Sequence, residues 1–84
     1  MPTLKDKAPN NYEKAYDFLL RLAEKGIPEA MFNLGEYFRE GKAVEKDPEK
    51  AAEWYRKALE AGYAPDEEDL EHLKAVLGDE YQQK

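Results

Sequence analysis

Residues 28–62 read PEAMFNLGEYFREGKAVEKDPEKAAEWYRKALEAG, and the spacing of small, apolar and charged residues along this stretch decides the fold. Pro28 suits a first helical position, where its fixed φ is already helical and its missing N–H has no partner to lose. Beyond it, Ala30, Met31, Leu34, Tyr37 and Phe38 recur at helical spacing until Gly41, which predicts a helix over 28–40. A short loop through Val44 leads to Asp47-Pro48-Glu49, which supplies an N-cap, a first-turn proline and an acid facing the positive end of the helix dipole. The helix that follows, 48–61, turns Ala51, Ala52, Trp54, Tyr55, Ala58 and Leu59 inward and stops at Gly62.

The flanks extend the same pattern. Over residues 11–25, Ala15, Tyr16, Phe18, Leu19, Leu22 and Ala23 share one broad face of a helix, with Glu13, Asp17, Arg21 and Glu24 on the other. Asn10 or Asn11 can cap its start, and Gly26 can supply the left-handed residue that ends it. Met1–Asn10, with Pro2 and Pro9 and no periodicity, reads as a tail ahead of a single helical domain over 11–84. A last helix over 66–82 aligns Leu70, Leu73, Leu77 and Tyr81, with Gly78 as a weak point that can fray or bend its end. Its acidic start, Asp66 to Asp69, offsets the helix dipole and lacks the alternating ligands and turn glycine of a calcium loop. With no strand pattern, the expectation is an all-α fold of four antiparallel helices.

Length and composition narrow the function. At 84 residues the chain is one small domain near the lower limit for folding on a hydrophobic core alone. It has no Cys, which removes disulfides, thiolate metal sites and cysteine nucleophiles, and its one His cannot build a multi-histidine metal site. A net charge of -6 without a basic run disfavours nucleic acid and anionic membrane as partners. No apolar run is long enough for a span or signal peptide, so a cytoplasmic location is expected.

Slid against itself, the chain repeats. Residues 47–62 align with 11–26 at an offset of 36, matching Glu13 with Glu49, Lys14 with Lys50, Ala15 with Ala51, Glu24 with Glu60 and Gly26 with Gly62. Phe18 falls opposite Trp54. One helix type recurring at a fixed period is the signature of a solenoid. The ordered set Ala30, Leu34-Gly35, Phe38, Gly41, Val44, Asp47, Lys50-Ala51, Trp54-Tyr55, Lys57-Ala58 and Gly62 resembles the Sel-one-like repeat, a relative of the tetratricopeptide repeat. The resemblance implies an α-α solenoid: one complete repeat, preceded by a second-type helix and followed by a capping helix. It also implies first-type helices lining a concave face, and the work of a non-enzymatic adaptor for other proteins. The chain departs from the pattern at Ala43, where the family usually has a second loop glycine. The last helix matches only through Leu77, Gly78 and Tyr81 at an offset of 43, as a lengthened first-type helix acting as a cap.

The motif residues have packing roles. Ala30, Gly35, Ala51 and Ala58 are small enough for close helix approach, and Leu34, Phe38, Trp54 and Tyr55 fill the space between pairs. Phe32, opposite the main stripe, is expected under an adjacent helix. No catalytic, cofactor-binding or metal site is expected, and His72, off the leucine stripe, reads as solvated. The candidate partner-binding residues are Asn33, Glu36, Tyr37 and Glu40, beside the core stripe of helix 28–40, where Asn offers both a donor and an acceptor and Tyr offers apolar contact at low entropy cost. The other reading of this edge, a half-buried tyrosine among solubilising acids, stands beside it. The leading expectation is a module for a protein or peptide partner. The alternative is a self-associating or engineered scaffold without a dedicated ligand, its copies meeting through under-covered end helices such as the first, where Tyr16 and Leu20 lack a neighbour.

Overall fold

The computed structural model describes residues 11–78. The helices are α1 (Asn11–Glu24), α2 (Pro28–Glu40), α3 (Pro48–Glu60) and α4 (Glu67–Leu77), and no strand occurs among the described residues. The expected tail over 1–10 and the stripe position Tyr81 lie outside them.

The 36-residue period reappears as identical helix ends. After α1, Gly26 takes φ 89°, its N–H donates to the carbonyl of Ala23 at 2.9 Å, and the Ile27 N–H reaches back to Leu22 at 3.2 Å. After α3, Gly62 takes φ 103°, its N–H donates to Leu59 at 3.0 Å, and the Tyr63 N–H donates to Ala58 at 2.9 Å. This paired closure satisfies carbonyls that a helix end otherwise orphans, and it needs a left-handed residue where glycine is strain-free. At the start of α3 the Asp47 carboxylate accepts from the Glu49 and Lys50 N–H groups at 3.1 and 3.2 Å. Asp66 and Asp69 form a reciprocal capping box at the start of α4.

The α2–α3 loop is tied down by the Asp47 N–H donating to the Phe38 carbonyl at 2.8 Å. Within it Ala43 takes φ 60°, the left-handed conformation that the usual family glycine would adopt freely. That conformation costs an L-residue roughly 1–2 kcal/mol, against about 0.4–1 kcal/mol for the extra unfolded-state freedom of a glycine. Ala43→Gly is therefore expected to raise stability by about 0.5–1 kcal/mol. The measurement is the urea midpoint at unchanged m-value, and a lower midpoint would show that the entropy term wins.

Two apolar clusters share α2. On one side Ala23, Ala30 and Leu34 are buried with Tyr16, Leu19, Leu20 and Ile27 around them. On the other, Phe32, Tyr55, Ala58, Leu73 and Leu77 form a second cluster, and Met31 packs against both. Phe32 stacks between Tyr55 (ring centroids 4.9 Å) and Tyr63 (4.5 Å), so it is core as expected. The closest approach is at Gly35, where an added Cβ would overlap ring carbons of Tyr55 and stand 3.2 Å from the Ala51 carbonyl oxygen.

Four expectations need correction. Phe18, assigned to the inward face, is 60% exposed. Trp54, its repeat equivalent, packs against the α1–α2 cluster of the preceding elements, whereas Phe18 has no preceding pair among the described residues. Trp54 itself is half-buried, with Lys57 Nζ 4.8 Å from its ring centroid. Tyr16 and Leu20, expected to lack a neighbour, instead pack on the cluster, Tyr16 against Tyr37 and Phe38. Finally, α4 ends at Leu77, because Gly78 at φ 56°, ψ −128° leaves helical space. Leu77-Gly78 is thus a helix terminus, where Leu34-Gly35 lies within a helix, and α4 is not a lengthened first-type helix.

Candidate functional site

Helical spacing brings Asn33, Glu36, Tyr37 and Glu40 onto one edge of α2, since positions three, four and seven apart share a face. The structure places all four along an open groove of about 320 Å3. Phe32 and Tyr63 form its apolar base, and Lys42, Glu68, Asp69 and His72 complete its walls. These last six lining residues were not among the candidates, because five follow α2 in the chain and reach the groove only through the tertiary fold. Asp69 and His72 stand three residues apart on α4, a spacing that does place both on one helix face.

One polar network joins α2, α3 and α4. The Tyr55 hydroxyl donates to Glu36 Oε2 at 3.1 Å, and Arg39 Nη2 donates to Glu36 Oε1 at 2.7 Å. Arg39 Nε donates to the Tyr55 hydroxyl oxygen at 3.2 Å, and Nη2 donates to Glu40 Oε2 at 2.6 Å. His72 Nδ1 lies 2.7 Å from Glu36 Oε2 and 3.4 Å from Arg39 Nη2. The short carboxylate contact assigns the hydrogen to Nδ1, which donates to Glu36, so the arginine is a neighbour without a bond to that nitrogen. His72 is therefore half-buried and bonded, which corrects its reading as solvated. No buried side-chain nitrogen or oxygen among the described residues lacks a partner.

The titration of these groups follows from the contacts. Burial opposes the charge on Arg39, but its hydrogen bonds to Glu36 and Tyr55 more than offset that and hold its pKa above the ordinary arginine value. Burial pushes the Tyr55 hydroxyl up, and the Glu36 charge pushes it further. Burial and then the 2.7 Å bond to Asp69 raise Tyr63 in the same way. At the rim, the Lys42 ammonium, 2.9 Å away, holds the Glu40 carboxyl below the usual carboxylate range.

Glu36, Asp69 and His72 offer three donor atoms within 4.8 Å of one another, as a metal site would. Both Glu36 oxygens are already engaged, and the Arg39 guanidinium supplies the positive charge beside them. Glu36 and His72 therefore read as part of an interhelical lock, and Asp69 is engaged separately by the Tyr63 hydroxyl. The His72–Glu36 pair has the geometry of an oriented base, yet the chain contains no serine and no cysteine to serve as a nucleophile beside it.

Helix pairs closing with the same left-handed glycine one period apart, and sharing α2 between two clusters, define a helical-repeat solenoid. The family model of the Sel1 repeat matches residues 5–27 and 28–63, and the chain belongs to that family, whose repeats are non-catalytic protein-interaction elements. The first match takes in α1 and the second takes in α2 and α3, while α4 falls beyond both. The chain is similar to the chitin synthase regulator SKT5 of Saccharomyces cerevisiae, with 40% identity over 45 residues. That alignment covers 54% of this chain but only 6% of the relative. No solved structure matches. No helix of the described residues is long and apolar enough to cross a membrane.

Proposed function

We propose that this chain is a non-enzymatic interaction module that holds an extended segment of a partner protein in the groove between α2 and α4. The observation that carries the reading is the convergence of Asn33, Glu36, Tyr37 and Glu40 on one open groove, with an exposed amide at Asn33 and a half-buried aromatic at Tyr37. An amide can bond both the donor and the acceptor of a peptide backbone, and a tyrosine already packed on Tyr16 loses little freedom on binding. The groove's interhelical lock is saturated before any partner arrives, so the walls are preorganised. Similarity to a chitin synthase regulator supports a regulatory role exerted through contact with another protein.

Affinity capture from a cell lysate, run in parallel with Asn33→Ala/Tyr37→Ala, tests the groove. The expected result is a partner retained by the wild-type chain and lost by the double variant, which keeps its helical circular dichroism. A partner retained equally by both would place the binding face elsewhere. Light scattering after size exclusion separates this reading from self-association through the exposed Tyr12 and Phe18 of α1, which would give a dimer.

A further inference from the structure

From the charge asymmetry of the groove we infer the chemical class of its occupant: a basic peptide segment that directs a lysine or arginine side chain at the α4 wall, an inference that rests on the interaction reading above. On the α2 wall the carboxylates are neutralised within the fold. Glu36 is paired with Arg39, and Glu40 with Arg39 and Lys42. On the α4 wall they are not. Glu68 is exposed and has no cationic partner among the described residues. Among the described residues Asp69 is bonded by neutral donors alone, the Tyr63 hydroxyl at 2.7 Å and the Asp66 N–H at 3.3 Å, so none of these bonds compensates its charge. The N-terminal dipole of α4 offsets roughly half of one charge, which leaves a net negative wall facing a neutral one.

Between the two walls, Phe32 and Tyr63 give an apolar base on which the alkyl stem of a lysine or arginine can lie while its charged head meets carboxylate. Asn33 stands on the opposite edge, where a peptide backbone would run. A cavity of about 320 Å3 admits one long side chain with part of its backbone. An acidic peptide would meet two unpaired like charges, which gives the groove a means of rejection as well as attraction.

Fluorescence anisotropy with a short labelled peptide of alternating lysine and serine, and with its glutamate counterpart, tests the inference. The lysine peptide is expected to bind, more weakly as salt rises from about 50 to 500 mM, and the glutamate peptide is expected not to bind. Glu68→Gln/Asp69→Asn, in which the new amide can still accept the Tyr63 and Asp66 bonds, should weaken the lysine peptide about three- to tenfold. Glu67→Gln, one residue away but outside the groove, and Glu53→Gln on α3 remove the same charge and should change Kd by less than about twofold. Equal losses in these controls would reduce the effect to bulk attraction by an acidic protein and overturn the inference. Binding of the glutamate peptide would also overturn it. If the lysine peptide fails while Asn33→Ala/Tyr37→Ala still abolishes capture of a partner, the groove stands and only its charge preference falls. If neither substitution set matters to any ligand, the interaction reading falls with it.

Discussion

Tyr55→Ala is expected to destabilise the protein by about 3–5 kcal/mol, the range for deleting a buried aromatic ring. Tyr55 is fully buried, its ring stacks on Phe32 at 4.9 Å, and its hydroxyl brings α3 into the lock between α2 and α4. A domain of this size has about 4–13 kcal/mol of total stability, so the variant should be largely unfolded at modest urea concentrations. Tyr55→Phe separates the two contributions. It keeps the ring and removes only the hydroxyl between Arg39 and Glu36, at an expected cost of about 1–3 kcal/mol. If Tyr55→Ala lowers stability by no more than Tyr55→Phe does, the packing account is wrong.

The same residue sets an alkaline limit. The pKa values of Tyr55 and Tyr63 are both raised in the folded state, by burial first and then by a neighbouring carboxylate. Below about pH 10, the ordinary tyrosine value, both hydroxyls are neutral whether the chain is folded or not, and stability does not depend on them. Above it the unfolded chain ionises first, so stability falls as pH rises. Urea midpoints should decline above about pH 10, and the decline should be shallower in Tyr55→Phe/Tyr63→Phe.

Gly35→Val is expected to cost about 2–3 kcal/mol, because any Cβ at this position meets the Tyr55 ring. Tyr55 cannot retreat, since Phe32 stacks on one side and its hydroxyl is held by Arg39 and Glu36. Gly35→Ala makes the more discriminating comparison. Helix propensity alone favours alanine by about 1 kcal/mol, so a net loss of stability in this variant reports the collision with propensity working against it. A gain near that value would mean that α2 and α3 can part without penalty and would refute the close approach. In the Tyr55→Ala background the penalty of Gly35→Ala should shrink, since residues in contact are not additive.

The two substitutions mark where sequence reading was sufficient and where it was not. Gly35 was legible as a close-approach position because the repeat motif places a small residue directly after Leu34 on the apolar stripe of the helix. Gly26 and Gly62 were legible as helix stops because a left-handed residue at a helix end is a local requirement, set by the chain around it. The burial of Phe32 followed from the resemblance to a repeat that covers that position. Phe18 was misplaced because helical periodicity says which residues share a face, while burial depends on whether a neighbour exists to cover it. Tyr16 and Leu20 erred in the other direction, since α2 reaches further across α1 than the periodicity could show.

The sequence by itself determined the four helical segments, the cap at Asp47, the stops at Gly26, Gly41 and Gly62, the 36-residue period and the edge of α2 that carries Asn33, Glu36, Tyr37 and Glu40. All of these are set by contacts within a turn or two of the chain, or by comparison of the chain with itself. Only the tertiary structure decided what faces that edge. His72 looked solvated because it lies off the leucine stripe of its helix, and it is bonded because the fold brings Glu36 to within 2.7 Å across 36 residues of chain. The acids of α4 looked like a dipole-offsetting first turn, and they are that, but the fold also turns Glu68 and Asp69 toward α2 and makes them a wall of a groove. Helix formation is local and leaves its mark in spacing. The meeting of two helices depends on packing between distant segments, and for Glu36 and His72 that meeting built the site.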